Sequence, residues 1–347
     1  MEYEYDTISE AFVNLLYEIK ADGDIVPVGR EHASGKITRE ICPCHVRIGH
    51  PRNRTLLVNG RNSNPFAQMF ETLWVLSGTN ELGALKIFLP KAGEWSDDGK
   101  TWRAAYGPRL RYAVGLDDVQ YERFRAAMIV HNRAVTNFSV SGFSAVDQLK
   151  YVANELQNDP TSRRAVMTIW DPAKECTIEK SRDFPCSNHI QFLIRGGKLD
   201  CHVTMRSNDL WFGFGSVNVY EFSVMQEIIA NVLGISVGAY YHNANSLHVY
   251  EEMLDKFDPI FNGKIFSLLK LGVKPFAWSK DLLHVSVNRG YVNTVQKFYD
   301  CDTTELVSAL KQLVDSDSAG TILFYLLLYV LFLKDKELLV KNYPLLM

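Results

Sequence analysis

No segment of this 347-residue chain is both apolar and long enough to span a bilayer. The most apolar run, Thr321–Leu333, suits a buried helix instead. Excess charge is missing too: a net charge of −3 gives no reason to expect nucleic acid as a partner, and any anion site must be local. Glu2, Glu4 and Asp6 stand where a secretory signal would carry basic residues, so no signal peptide, no membrane association and a cytoplasmic location are expected. Cysteine is sparse. The six, at positions 42, 44, 176, 186, 201 and 301, lack the spacing of a disulfide framework, which favours a reducing compartment. Cys42-Pro43-Cys44-His45 has neither C-x₂₋₄-C spacing nor a second cysteine pair, so no metal is expected. With no internal repeat, low-complexity tract or linker, residues 1–347 read as a single α+β domain.

Hydrophobic periodicity supplies the elements. Thr7 as a cap followed by Ile8, Phe12, Leu15, Leu16 and Ile19 predicts a first helix over 7–20. Short runs between Gly, Pro and Asn predict strands around Val46–Ile48 and Thr55–Val58. Asn64-Pro65 opens a helix that carries Phe70, Leu73, Trp74 and Leu76 and stops at Ser77-Gly78. Residues 90–108, rich in Gly, Pro, Trp and charge, predict an irregular loop. A further helix is expected over 147–157, strands over 166–170, 189–195 and 199–205, a long apolar helix over 221–233, a strand over 238–243 and a helical tail from Thr304. Gly196-Gly197 should join the middle two strands as a hairpin.

The chemistry-bearing residues cluster. Cys186 stands in Asp183-Phe184-Pro185-Cys186-Ser187-Asn188, and twenty residues on comes Arg206-Ser207-Asn208-Asp209. A thiol is the strongest side-chain nucleophile near neutral pH when cations favour its thiolate, and an Arg-Ser pair binds anions through a planar fork beside a hydroxyl. Together they point to covalent chemistry on a phosphorylated small molecule. A lone Cys after Pro is more often a small packing residue; the attached Arg-Ser segment argues otherwise. Glu71, inside an apolar helix, is costly to bury without a polar network or an ion pair.

Several blocks then fall into the order of a known family. Phe70-Glu71-Thr72-Leu73-Trp74-Val75-Leu76-Ser77-Gly78, Glu94-Trp95-Ser96-Asp97, Ala105-Tyr106-Gly107, Asn158-Asp159-Pro160-Thr161-Ser162-Arg163-Arg164, the Pro185-Cys186 segment, Arg206-Ser207-Asn208-Asp209, Asn218 and Ser246-Leu247-His248-Val249-Tyr250 resemble, over roughly residues 25–255, the folate-dependent thymidylate synthase superfamily. That superfamily includes the (d)CMP and dUMP hydroxymethylases. The resemblance implies its fold: a large mixed twisted sheet flanked by helices, paired face to face in a homodimer, with about 256–347 as a helical extension. It also implies roles. Cys186 would add to C6 of the pyrimidine of a nucleoside monophosphate, and C5 would take the one-carbon unit of 5,10-methylenetetrahydrofolate. Glu71 and Tyr106 would move protons, and Asn218 would read the base. Arg206, Ser207 and Arg30 would hold the phosphate, joined by Arg163 and Arg164 of the second subunit. His248 and Tyr250 would hold the sugar, and Trp95 and Asp209 would contact the folate.

Three departures from the synthase pattern bear on the product. The synthases' P-C-H is Pro185-Cys186-Ser187 here. Arg206-Ser207-Asn208-Asp209-Leu210-Trp211-Phe212-Gly213-Phe214 looks more like the hydroxymethylase segment, and Lys341–Met347 lacks the short closing M-A-V of the synthases. A site that admits water would yield a hydroxymethyl group rather than a methyl, so hydroxymethylation is the expectation, with methylation of dUMP as the alternative and a silent nucleotide- or RNA-binding relative as a third. Asn218 lies one residue further from Cys186 than the pattern requires, so one extra residue is expected within 215–217. An amide can pair with uracil or cytosine. The run around Gly213–Ser223 resembles the CMP hydroxymethylases, which inclines the expectation to a cytidine nucleotide.

Overall fold

The computed structural model describes residues 2–29, 35–112, 137–140, 143–266, 274–313 and 318–343. Its centre is a six-stranded mixed sheet in the order β1 (Glu2–Tyr5), β4 (Cys44–Ile48), β12 (Ser236–Ala244), β10 (Lys198–Met205), β9 (Ser187–Arg195) and β8 (Val166–Thr168). β1 runs parallel to β4 and β10 parallel to β12, while the other neighbours are antiparallel. A second sheet orders β11 (Asn208–Asp209), β13 (Leu247–Tyr250), β3 (Ile37–Ile41) and β2 (Asp24–Pro27). A mixed twisted sheet flanked by helices is the α+β arrangement that the motifs imply.

Alternation along the strands gives the sheet two unlike faces. Ile190, Phe192, Cys201, Val203, Met205, Tyr240 and His242 are fully buried, and the helix Val219–Leu233 packs on that side against β10 and β12. On the other face Gln191, His202, Thr204, Tyr241, Asn243 and Arg47 keep partial exposure, with the His202 ring stacked on Tyr241 at 4.4 Å. The β9–β10 turn is the expected Gly196-Gly197 hairpin. Its φ angles of 55° and 72° are left-handed values that favour glycine at both positions.

The first helix, α1 (Ile8–Asp22), is capped by the Thr7 side chain. α2 (Pro65–Leu76) starts as its sequence predicts: the Asn64 side chain accepts from Phe66 N and Ala67 N, and Pro65 sits at the first position. Residues 90–108 are less irregular than expected. A 3₁₀ turn, Ala92–Trp95, and the start of helix α3 (Tyr106–Arg111) lie there, because Trp102 Nε1 donates to Ala92 O and anchors the segment. The helix α4 (Gln148–Asn158) follows its Asp147 cap. The largest surprise precedes α5 (Val219–Leu233): residues Leu210–Asn218 form a π-helix capped by Asp209, where no helix was expected before residue 221. A π-turn holds one more residue per hydrogen-bonded ring than an α-turn.

From Val285 on, the described tail is mostly helical: α6 (Val285–Asp300), α7 (Thr303–Leu313), α8 (Ser318–Lys334) and α9 (Lys336–Asn342). It packs behind α2. Tyr329 stacks on Phe66 at 4.9 Å and receives a hydrogen bond from Asn64, and Arg289 donates to Ser77 O. No helix among the described residues is long and apolar enough to cross a membrane.

A buried ion triad ties α5 to the loop after β4. Glu227, 2 % exposed, takes Arg54 at 2.6 Å and Arg52 at 3.1 Å, and Arg54 also donates to Ser223 Oγ. Removing the acid would strand Arg54 without a counter-charge. Glu227→Ala is therefore expected to lower unfolding free energy by about 3–5 kcal/mol in urea titration, whereas a change below about 1 kcal/mol would mean the triad contributes little.

Candidate active site

The β9–β10 hairpin explains why twenty residues separate Cys186 from Arg206. Register pairs Met205 with Ser187, so the residues just outside the ladder face one another. Arg206 N donates to Cys186 O at 2.9 Å, and Arg206 Nε donates to Pro185 O at 3.0 Å. The guanidinium lies over the Trp170 ring at 5.8 Å and borders a cavity of about 630 Å³ on the exposed sheet face, lined also by Val166, Thr168, Asn188, His189 and Gln191. That cavity does not include the Cys186 thiol, which is half-buried on the segment leading into β9. The loop before Cys186 is pinned by interactions that sequence reasoning missed. Ala104 N donates to Asp183, Ser181 and Arg182 N bind Asp97, and Arg103 binds Glu175 and Asp183 O. Asp183 is pushed up to about 6 by burial.

Tyr106 meets Ser187, the residue after Cys186. Its phenol oxygen accepts from Ser187 N at 3.3 Å and Ser187 Oγ at 3.2 Å, and its ring stacks on Phe222 at 6.1 Å. Burial, then the nearby Cys186, raises its proton affinity. Glu71 retains a sliver of exposure yet is deeply enclosed on α2, and burial pushes it up to about 8. Asn218 is buried at the end of the π-helix. Asn208 Nδ2 donates to Asn218 Oδ1 at 2.8 Å, and Asn208 Oδ1 accepts from His242 Nε2 at 3.0 Å. Tyr240 OH meets His242 Nδ1 at 3.2 Å. Burial draws His242 down to about 3, so it stays neutral. Gly213 makes room for this amide pair: a Cβ there would meet Asn208 Nδ2 at 2.4 Å and Asn218 Oδ1 at 2.7 Å.

The other expected residues divide. Ser207 Oγ lies 3.4 Å from His248 Nδ1, and the His248 ring meets Tyr250 edge-on at 5.7 Å, so β11, β13 and the residue before them gather these three. Asp209 Oδ1 accepts from Trp211 N and Phe212 N and so caps the π-helix. Burial raises it, against the pull of His248 and Arg61. Trp95, 40 % exposed, stands on its 3₁₀ turn. Arg163 and Arg164 project into solvent after α4, and Arg164 pairs with Glu155 at 2.9 Å. Arg30 lies outside the described residues. Among the described residues no three His, Cys, Asp or Glu side chains group as a metal site.

The thymidylate synthase family profile matches residues 10–288. The chain belongs to the thymidylate synthase family. It is 34 % identical over 242 residues to the deoxyuridylate hydroxymethyltransferase of Bacillus phage SP01, covering 70 % of this chain and 57 % of that one. It is 33 % identical to the enzyme of the same name from Delftia phage PhiW-14, covering 62 % of this chain and 54 % of that one. The thymidylate synthase of Bacillus mojavensis is 33 % identical over 38 % of this chain and 45 % of its own. The chain thus spans little more than half the length of the phage relatives. Among solved structures, thermostable thymidylate synthase A from Bacillus subtilis superposes with a TM-score of 0.55 at 22 % identity, covering 74 % of this chain and 85 % of that one, which shows the fold.

Within that thymidylate synthase framework, three side chains escaped sequence reasoning. Asn208 orients Asn218, His242 orients Asn208, and Glu221 approaches Glu71 from α5. His242 reads from sequence as an ordinary strand residue, and Glu221 as the polar edge of an apolar helix. Two acids buried on one mostly apolar helix, Glu227 paired with Arg54 and Glu221 without an arginine or lysine in an ion pair among the described residues, were the available signal.

Proposed function

We propose that this protein transfers a one-carbon unit to C5 of a pyrimidine nucleoside monophosphate and leaves it there as a hydroxymethyl group. The observation that carries the covalent chemistry is the seat of Cys186. The hairpin sets it beside Arg206, and Tyr106 hydrogen-bonds the very next residue. Addition of the thiolate to C6 makes C5 nucleophilic. The co-substrate 5,10-methylenetetrahydrofolate would supply the one-carbon unit; Trp95 and Phe212, 40 % and 53 % exposed, offer aromatic faces to a flat pterin. Ser207, His248 and Tyr250 suit the sugar and phosphate end.

For the fate of the carbon, the phage relatives' name and Ser187 in the synthases' histidine position both favour capture by water. For the base, the amide geometry supports uracil over the cytidine nucleotide that motif likeness favoured. Asn208 Nδ2 donates to Asn218 Oδ1, and one Asn218 N–H goes to Glu221, which leaves the second N–H for the base. A donor suits the C4 carbonyl of uracil and opposes the 4-amino group of cytosine. Deoxyuridylate is accordingly the substrate we favour. We further propose a homodimer joined through the exposed sheet face, whose mixed polar and aromatic surface and Arg206-lined cavity would receive Arg163 and Arg164 of the second subunit.

Incubation with CMP, dCMP, UMP or dUMP, each with 5,10-methylenetetrahydrofolate in ¹⁸O-labelled water, tests both points. Only dUMP is expected to react well, gaining CH₂O with the label, and no absorbance of dihydrofolate should develop. An unlabelled methyl product with stoichiometric dihydrofolate would make the protein a divergent synthase, and preferential turnover of dCMP would overturn the assignment of the base.

A further inference from the structure

Four side chains from three elements form one line that ends at the amide of Asn218. Tyr240 and His242 stand two apart on β12 and so share its buried face, Asn208 opens β11, and Asn218 ends the π-helix. Tyr240 OH lies 3.2 Å from His242 Nδ1, and His242 Nε2 lies 3.0 Å from Asn208 Oδ1. Asn208 Nδ2 donates to Asn218 Oδ1 at 2.8 Å. All four side chains are buried. Phe214, on the π-helix, meets the His242 ring edge-on with centroids 5.0 Å apart, and Gly213 lets the same backbone close over both amides.

The line has a direction. A neutral imidazole carries one N–H, and burial keeps His242 neutral. A carbonyl oxygen only accepts, so the ring proton facing Asn208 Oδ1 sits on Nε2, and Nδ1 is left to accept the Tyr240 hydroxyl. With its oxygen held in this way, Asn208 turns its amino group to Asn218. Turning Asn208 over would set its N–H groups against Nε2–H and its oxygen against Asn218 Oδ1. Both contacts would then be unmet in a buried site, where unmet polar groups are costly. At the far end Asn218 gives one N–H to Glu221, whose proton burial favours keeping. A protonated carboxyl can meet either edge of an amide, so the direction is set from the β12 end. An apolar side chain at position 242 would avoid the cost of burying an imidazole, and the use made of both ring nitrogens accounts for its presence.

We propose that His242, held by Tyr240, is the positioning residue that selects the base: through Asn208 it fixes which edge of Asn218 meets the pyrimidine, and so favours a 4-oxo over a 4-amino ring. The proposal rests on the reading of a uracil nucleotide as substrate. Selection then originates on a strand that does not touch the base. A lone asparagine could turn over to suit either ring. An anchored one sets its N–H against the amino group of cytosine, donor against donor, and a buried pair of that kind discriminates strongly.

Two variants test this. Asn208→Leu keeps roughly the volume of the side chain and cuts the line. Tyr240→Phe removes one hydroxyl, keeps the ring, and frees Nδ1 to carry the proton. In wild type and both variants, kcat/KM is measured for tritium release from 5-tritiated dUMP and dCMP with 5,10-methylenetetrahydrofolate, a step that precedes the methyl–hydroxymethyl branch. Calorimetric affinities for the two nucleotides are measured beside it. Wild type should favour dUMP by about a hundredfold or more. That preference should shrink by on the order of tenfold or more in Asn208→Leu and by about threefold or more in Tyr240→Phe. In both, kcat/KM for dCMP should rise in absolute terms, which mere loosening of the site would not produce. A preference unchanged within about twofold in both variants, or one that shrinks with no gain on dCMP, would overturn the proposal. If Asn208→Leu fails to fold, Tyr240→Phe decides alone. A wild type that prefers dCMP would overturn the uracil reading, and His242 would keep its role only if that preference collapses in the same variants. Binding of neither nucleotide would overturn both.

Discussion

Cys186→Ser should release no measurable tritium from 5-tritiated dUMP, a loss of at least about a thousandfold in turnover, while dUMP still binds within about tenfold. Serine preserves the volume of the side chain at the hairpin's mouth, and backbone groups of this segment accept the contacts that position it: Arg206 N to Cys186 O and Arg206 Nε to Pro185 O. Those bonds are indifferent to the atom at the end of the side chain. What changes is the nucleophile. An alcohol near neutral pH is almost wholly protonated, and neither Tyr106, whose proton is held more tightly by burial, nor Glu71, pushed up to about 8, is placed as a ready base for it. Binding should survive because the phosphate and sugar groups are untouched. Calorimetric titration with dUMP beside the tritium assay separates the two effects. Substantial turnover in the serine variant would remove covalent catalysis from the account, and loss of binding would show that the thiol shapes the pocket.

The site was legible where it is written in local chemistry. Asn64-Pro65 and Ser77-Gly78 bracket α2 and fix the helix that carries Glu71, and Gly196-Gly197 closes the hairpin that brings Arg206 to Cys186. Once the hairpin is granted, the twenty-residue spacing follows from antiparallel pairing alone. What stayed hidden depends on packing between distant elements. The Glu71–Glu221 approach arises from the crossing of α2 and α5, and nothing in either helix announces its partner. The Asn218 amide reads as free to face either way until His242 and Asn208, on two different strands, orient it. The π-helix was missed because its sequence, Leu210–Asn218, has three glycine or serine positions that look like a loop; it forms because Asp209 caps it and Gly213 and Gly215 admit close neighbours. The tail was expected to be helical and is, but its docking behind α2 through Tyr329 and Arg289 had no local mark.

Two inactive variants should restore one another when mixed. Arg163 and Arg164 point into solvent beyond α4, and the ion pair that Arg164 makes to Glu155 leaves it 76 % exposed. Exposed pairs of this kind contribute little stability, so Arg163→Ala/Arg164→Ala should fold normally. If the two guanidinium groups serve a phosphate in the second subunit, each loses a charge-assisted hydrogen bond on substitution, and kcat/KM should fall by on the order of a hundredfold or more. Cys186→Ser is inactive for a different reason, on a different subunit of the same site. Subunits exchanged at random give half hybrid dimers, and each hybrid contains one site with both an intact Cys186 and intact arginines from its neighbour. Recovery of about a quarter of wild-type activity is expected from an equal mixture after unfolding and refolding together, against almost none from either variant alone. The Arg206-lined cavity on the exposed sheet face is where those arginines would enter, so a substitution there that blocks association, such as Gln191→Trp, should abolish the recovery as well. Hybrid dimers that form, as judged by affinity-tagged capture, and yet stay inactive would rule out the shared site. A fully active monomer would rule out the dimer itself.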